Sequence, residues 1–138
     1  MKRVILDTGP LVAFLCPRDE HHLWVRQVFH DVAPGSIVCE SVLAETCHLA
    51  AKENVSHARV IEFIRHLRLK PVSLTSELEV IQTLLNRYDD TPMDFADACV
   101  VRLAELFPDA TVCTADTDFR FYRKNTREII SLLAPFSL

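Results

Sequence analysis

Glycine is scarce in this sequence, since only two of 138 positions carry it. Tight turns and flexible flaps that depend on glycine therefore have little material, and we expect helices to dominate. No low-complexity tract or internal repeat is present, which argues against repeat architectures. Apolar runs are short, and none approaches the roughly 18 residues that a membrane-spanning helix needs. The sequence predicts one soluble domain over residues 1–138, with no membrane association.

The five cysteines lack the spacing of a disulfide framework or a zinc site. Their number is odd, and no CxxC pair occurs. This pattern predicts reduced core residues in a cytoplasmic protein. The N-terminus has two basic residues followed by apolar ones, as secretory signals do, but Asp7 interrupts the run and no small-residue cleavage site follows. We therefore interpret the first residues as a core strand and helix.

An excess of positive charge is also missing. Nineteen acidic residues against fifteen basic ones give a net charge of -4. Proteins that coat nucleic acids without sequence preference rely on excess lysine and arginine to bind phosphates. An enzyme acting on nucleic acids would thus need clustered bases, or a metal ion that supplies the positive charge.

Short apolar runs rich in β-branched residues alternate with longer helical patterns. The predicted strands are Val4–Leu6, Ser36–Val38, Val72–Leu74, Thr111–Cys113 and Ile129–Leu132. The predicted helices cover about 10–15, 20–32, 41–53, 56–67, 76–88 and 94–107. This alternation is typical of an α/β sandwich with a mostly parallel sheet, and we expect the first strand at its centre. Ligands of such sheets gather at the carboxyl ends of the strands.

Two aspartates follow predicted strands at that edge. Asp7 ends the strand Val4–Leu6 and precedes Pro10, so an ordinary helix N-cap is an alternative role for it. Asp116 follows the strand Thr111–Cys113, and its ordinary alternative is a turn in which the side chain bonds the backbone. Both acids are nevertheless expected at the same edge of the sheet.

Two further acids lie on predicted helices beside apolar residues. Asp97 is on the side of a stripe formed by Met93, Ala96, Val100, Leu103 and Phe107. Burying its charge costs several kcal/mol unless a cation or several donors compensate for it. Glu45 lies between Val42 and Leu49 in a similar but less distinct pattern, and a solvated flank is its alternative.

Four acids without a nearby lysine or arginine repel one another unless a divalent cation is present. Oxygen ligands favour Mg²⁺ or Mn²⁺. The reaction that suits such a site is phosphodiester hydrolysis, in which a metal activates water. Whether one or two ions bind is left open by the sequence.

Four segments, in this order, resemble the motifs of PIN domains. They are VILDTGPL at 4–11, SVLAETCHLA around Glu45, MDFADACVVRLAE around Asp97 and TADTDF at 114–119. The resemblance spans nearly the whole chain and implies a three-layer α/β/α fold with a metal-dependent nuclease site. It assigns metal-binding carboxylates to Asp7, Glu45, Asp97 and Asp116, auxiliary roles to Asp94 and Asp118, and water or metal orientation to Thr8.

The size of the chain resembles that of stand-alone VapC-type toxins, which cut RNA, commonly form homodimers and are inhibited by a small antitoxin protein. PIN domains also occur as RNA-processing nucleases, and a non-catalytic PIN-like binding module is a further alternative. Bases at Arg120, Arg123 and Lys124 follow the last acidic motif, with Phe119, Phe121 and Tyr122 between them as stacking surfaces for RNA. Their ordinary alternative is a solvated face over core aromatics.

Other interpretations fit less well. Asp7-Thr8-Gly9 is also the triplet of aspartic proteases, but those need an all-β chain with glycine-rich flaps. Glu45 and His48 have the Glu-x-x-His spacing of di-iron bundles, yet only one copy is present. His21, His22 and Trp24 are candidates for a partner or RNA surface. Apolar residues on two helical faces are candidates for a dimer or antitoxin surface, with ordinary core as the alternative: Leu23, Val28, Phe29, Val60, Phe63 and Ile64.

Overall fold

A parallel five-stranded sheet forms the centre of the computed structural model, which describes residues 1–138. The chain has seven short strands: β1 (Val4–Leu6), β2 (Ile37–Cys39), β3 (Lys70–Val72), β4 (Thr111–Cys113), β5 (Arg123–Lys124), β6 (Glu128–Ile129) and β7 (Leu132–Leu133). The order in the sheet is β3-β2-β1-β4-β7, and each neighbouring pair is parallel. The predicted parallel sheet with β1 at its centre is therefore confirmed.

Six helices flank this sheet: α1 (Thr8–Leu15), α2 (His22–Phe29), α3 (Glu40–Ala51), α4 (His57–His66), α5 (Leu78–Arg87) and α6 (Phe95–Leu106). Crossovers between parallel strands are right-handed, so the connections from β1 through β2 to β3 share one face and the return from β3 to β4 uses the other. In agreement, α1 contacts α2 and α3, α3 contacts α4, and α5 contacts α6. The arrangement is the expected three-layer α/β/α sandwich. No helix has the length and apolar character needed to cross a membrane.

The core is built from the apolar runs that predicted the strands. All three residues of β1 are fully buried, as strands covered by helices on both faces require. A cluster of 33 buried apolar residues extends from there into both helical layers. All five cysteines are free thiols, and four of them are buried. These observations agree with the prediction of reduced core cysteines.

Two strand predictions need correction. The third strand is Lys70–Val72 rather than Val72–Leu74, and it contains Pro71. Proline is tolerated there because β3 is an edge strand, where one side of the backbone needs no partner. The predicted last strand Ile129–Leu132 is divided into β6, which pairs with β5 in an antiparallel hairpin, and β7, which joins the main sheet.

The topology creates a crevice between β1 and β4. From β1 the chain first proceeds to one side of the sheet, through β2 and β3, and later returns to the other side as β4. The connections after β1 and β4 consequently leave on different faces, and a cleft opens above the carboxyl ends of these strands. Such switch points are where open α/β sheets bind their ligands.

Candidate active site

Asp7 and Asp116 meet at the crevice because β1 and β4 are in register. Leu6 lies opposite Cys113, and the Asp7 backbone N–H donates to the Cys113 carbonyl at 3.0 Å. Asp7 thus extends the ladder by one residue, and its side chain is buried. It occupies the N-cap position of α1, as its alternative role predicted, but its side chain forms no capping hydrogen bond.

Thr114 connects these two acids. Its Oγ1 donates a hydrogen bond to Asp7 Oδ2 at 2.6 Å and accepts one from the Asp116 backbone N–H at 3.0 Å. The threonine is fully buried, so its hydroxyl must be satisfied inside the protein. Sequence reasoning quoted Thr114 in a motif but gave it no role, although its place directly after β4 was an available signal.

Asp116 does form the turn that was considered as its ordinary role. Its Oδ1 accepts from the Asp118 backbone N–H at 2.9 Å and caps a short 3-10 turn over Thr117–Arg120. This bond uses one carboxylate oxygen and fixes the direction of the side chain. Asp116 can therefore cap this turn and still lie at the crevice between β1 and β4.

Asp94 and Asp97 form a reciprocal capping box at the start of α6. The Asp97 N–H donates to Asp94 Oδ1 at 2.8 Å, and the Asp94 N–H donates to Asp97 Oδ2 at 3.1 Å. Such a box satisfies free N–H groups of the first helical turn. It also holds two carboxylates side by side at the helix N-terminus, where the helix dipole favours negative charge.

One cavity of about 500 Å³ collects the predicted acids, and we call it the acidic cavity. Its wall contains seven carboxylates, one histidine and no lysine or arginine. The thirteen lining residues are Asp7, Thr8, Gly9, Glu20, His21, Glu45, Leu49, Pro92, Asp94, Asp97, Ala115, Asp116 and Asp118. Every acid predicted as a ligand or auxiliary is present, whereas Glu20 was missed by sequence reasoning.

Burial and crowding raise the pKa of three of these carboxyl groups. Burial raises the pKa of Asp7 from 3.8 to about 6, with smaller contributions from the charges of Asp116 and Glu45, and the hydrogen bond from Thr114 opposes the shift. The pKa of Asp97 is raised to about 8, first by burial and then by repulsion from neighbouring aspartates. Burial also raises the pKa of Asp116. These acids thus share the cavity without a lysine or arginine to compensate for their charges.

Two buried hydroxyls near these acids have no hydrogen-bond partner, namely Thr8 Oγ1 and Tyr122 Oη. Thr8 lines the acidic cavity directly. Tyr122 is buried behind it, and its pKa is raised by burial and by the charges of nearby aspartates, led by Asp97. Unpaired buried hydroxyls cost stability, so their presence beside a cavity points to a missing ligand or water.

The chemistry of the donors fits a hard divalent cation. All the strong donors are carboxylate oxygens, which Mg²⁺ and Mn²⁺ prefer, and the orphan Thr8 hydroxyl adds a neutral oxygen. No three side chains of Asp, Glu, His or Cys are arranged as a ready-made metal group. The acids therefore share a cavity without forming a preassembled three-ligand cluster.

The predicted RNA-binding residues lie outside the acidic cavity. Arg120 is exposed and stacks over the rings of Phe121 and Phe136, at 5.6 Å and 5.5 Å from their centroids. Arg123 is half-buried, and its Nη1 donates to two backbone carbonyls, while Lys124 lies beside it in β5. Phe119 and Tyr122 belong to the core, so Phe121 alone of the three aromatics is available for stacking.

Comparison with known proteins identifies the family. The model of the PIN domain matches residues 4–125, which is most of the chain, and the chain therefore belongs to the PIN domain family. The fold is similar to that of Mycobacterium tuberculosis VapC20, a Sarcin-Ricin loop cleaving toxin, with a TM-score of 0.73 and 21% sequence identity. That likeness covers 83% of this chain and 91% of the VapC20 chain. No curated protein matches the sequence.

Proposed function

We propose that this PIN-domain protein is an endoribonuclease that requires Mg²⁺ or Mn²⁺, with Asp7, Glu45, Asp97 and Asp116 as metal ligands. The observation that carries this proposal is the acidic cavity, whose wall has seven carboxylates and no lysine or arginine. Folding brings them together at a cost that is visible in the raised pKa values of Asp7 and Asp97. A bound cation offsets this cost, and perturbed groups in a cleft are typical of functional sites.

When bound, a divalent cation supplies positive charge beside a phosphate and lowers the pKa of water. It also compensates for the net negative charge of the protein, because an acidic protein can then hold an anionic substrate. Asp94 and Asp118 are assigned auxiliary roles, since each is tied to a principal acid by a backbone hydrogen bond.

The protein's own groups orient the site. Thr114 restrains the Asp7 carboxylate through the 2.6 Å hydrogen bond, leaving the second oxygen for a ligand. The Thr8 hydroxyl is unpartnered at the wall of the cavity and can position the attacking water. The RNA backbone would continue from the cavity toward Arg120 and Lys124, where Phe121 offers an exposed ring for stacking.

Within this function, we assign the chain to the toxin half of a toxin–antitoxin pair, in the cytoplasm and as a homodimer. The support is the fold, which is similar to that of a Sarcin-Ricin loop cleaving toxin whose chain is covered over 91% of its length. A small antitoxin protein is the expected partner. Of the apolar residues predicted for such a surface, Phe29, Val60, Phe63 and Ile64 are core, while Leu23 is exposed and Phe29 and Phe63 also line a surface groove. A processing nuclease without an antitoxin is the alternative.

A cleavage assay tests the proposal. Purified protein is incubated with structured RNAs and Mn²⁺, and the wild type should cut them while Asp7→Asn should not. Asp31→Asn is the matched control, because Asp31 is an exposed aspartate that does not line the cavity. Tight RNA binding by the wild type without cleavage would instead favour a non-catalytic module.

A further inference from the structure

His21 is distinguished by its surroundings in the acidic cavity. The wall contains seven carboxylates and neutral residues, and His21 is its only side chain that can carry a positive charge or donate a proton as a cation. The residue comes from the turn between α1 and α2, which folds over the crevice from outside the sheet. His21 is therefore the cationic acid that this wall can offer to a leaving group.

The local structure holds the imidazole firmly. The His21 backbone N–H donates to Asp19 Oδ1 at 2.9 Å, which fixes the turn before α2. The ring meets Trp24 edge-on, with centroids 6.4 Å apart and an interplanar angle of 75°. Its Nε2 lies 3.5 Å from Glu20 Oε1, and the side chain remains 31% exposed. The ring is thus anchored on one side and accessible on the other.

Hydrolysis of a phosphodiester needs a proton donor as well as an activated water. The bond between phosphorus and a ribose oxygen breaks while the water oxygen bonds to phosphorus, and the departing alkoxide must be protonated. An imidazolium carries protons on both ring nitrogens, so one can be shared with Glu20 while the other is transferred. Such general acid catalysis typically contributes about 10²–10⁴-fold to the rate.

We propose, on the basis of the proposed ribonuclease function, that His21 is the general acid that protonates the leaving ribose oxygen. The imidazolium gives its proton to that oxygen, solvent receives the proton lost by the attacking water, and the neutral imidazole regains a proton from solvent. No oxidant or additional reactant is needed. In this proposal the carboxylates bind the cation, and His21 protonates the leaving group.

The test compares leaving groups. A short RNA that the wild type cuts in Mn²⁺ is used, and the ends of its products show which bridging oxygen leaves. A second RNA carries sulfur at that bridging position, because a thiolate departs without protonation. His21→Asn should lower kcat on the all-oxygen RNA about 100-fold, with a smaller change in KM, but should cut the sulfur RNA within about 3-fold of wild type.

Asparagine is chosen because it is a good N-cap residue and keeps the start of α2 intact. His57→Asn is the matched control, since His57 is an exposed histidine outside the cavity, and it should cut both RNAs like the wild type. An equal loss on both RNAs, or no loss on either, would overturn the role of His21. A wild type that cuts neither RNA would show that the proposed ribonuclease function itself has failed.

Discussion

Two cavities of about 500 Å³ each have opposite chemistry. The first, which we call the aromatic groove, is lined by Phe14, Phe29 and Phe63 together with Arg26, Arg59, His30, Glu62, His66 and Leu67. Its rings stack at 4.7–6.0 Å, and its only acid, Glu62, is paired with Arg59 at 3.2 Å. The acidic cavity has seven acids and no lysine or arginine to pair with them. The two cavities therefore have similar volumes but differ in the electrostatic cost of their lining residues. This difference points to the acidic cavity as the functional one, because proteins keep mutually repelling groups together mainly where function requires them.

The largest effect is expected from the aromatic groove. Phe63 is 3% exposed and stacks on Phe14 with centroids 4.7 Å apart. Phe63→Ala removes this packing and should lower the free energy of unfolding by about 3–5 kcal/mol, measured by urea denaturation. The folded fraction of the variant should bind Mn²⁺ as the wild type does. Impaired ion binding in the folded variant would show that the two regions are coupled.

A smaller effect is expected where the acidic cavity is held in position. Thr114→Val keeps the shape of the buried side chain but removes both the hydrogen bond to Asp7 and the acceptor of the Asp116 N–H. Loss of such a supporting bond typically costs about 10–100-fold in metal affinity or activity, which Mn²⁺ titration and cleavage rates would measure. Thr111→Val is the control, because Thr111 lies in β4, which Thr114 directly follows, and its hydroxyl bonds only Ser131. Equal behaviour of the two variants would contradict the positioning role of Thr114.

The sequence predicted some residues of the acidic cavity and missed others. Asp7 and Asp116 were predictable, since strand ends converge at one edge of a parallel sheet, and Asp97 was predictable from its place beside an apolar stripe. Glu20 and His21 enter the cavity only because the turn before α2 folds back over the crevice, and no local pattern encodes that path. The β5–β6 hairpin was missed because Asn125 and Thr126 have positive φ without a glycine to indicate the turn.

Removing a charge from the acidic cavity should stabilise the protein, whereas removing a ring from the aromatic groove should destabilise it. Asp97→Asn should raise the free energy of unfolding by about 0.5–2 kcal/mol without an ion, while abolishing cleavage. The folded state binds the Asp97 proton more tightly than the unfolded chain does, because its pKa is about 8 instead of 3.8. The contribution of this proton to the stability of the wild type is thus lost as pH rises between these values.

The advantage of Asp97→Asn over the wild type should consequently grow from pH 5 to pH 8. Thermal unfolding of both proteins in EDTA across this range measures it. An advantage that stays constant with pH, or a variant less stable than the wild type at pH 8, would argue that Asp97 is well solvated or compensated.

The smallest effect is expected at Tyr122, which lies between the acids and the core. Its hydroxyl is buried without a partner, so Tyr122→Phe removes an unsatisfied group and leaves the ring packing intact. The free energy of unfolding should rise by up to about 1 kcal/mol, as measured by denaturation without an ion. A loss of stability of similar size would show that this hydroxyl has a partner in solution.

The central claim is that the carboxylates of the acidic cavity coexist because a divalent cation binds among them. The most direct measurement is the thermal unfolding temperature of wild type and Asp97→Asn at pH 8, with EDTA and with Mn²⁺. An ion at 100 times its Kd stabilises the native state by about 2.7 kcal/mol. The account predicts a clear rise in Tm for the wild type and little or none for the variant. No rise for the wild type, or an equal rise for both proteins, would contradict it.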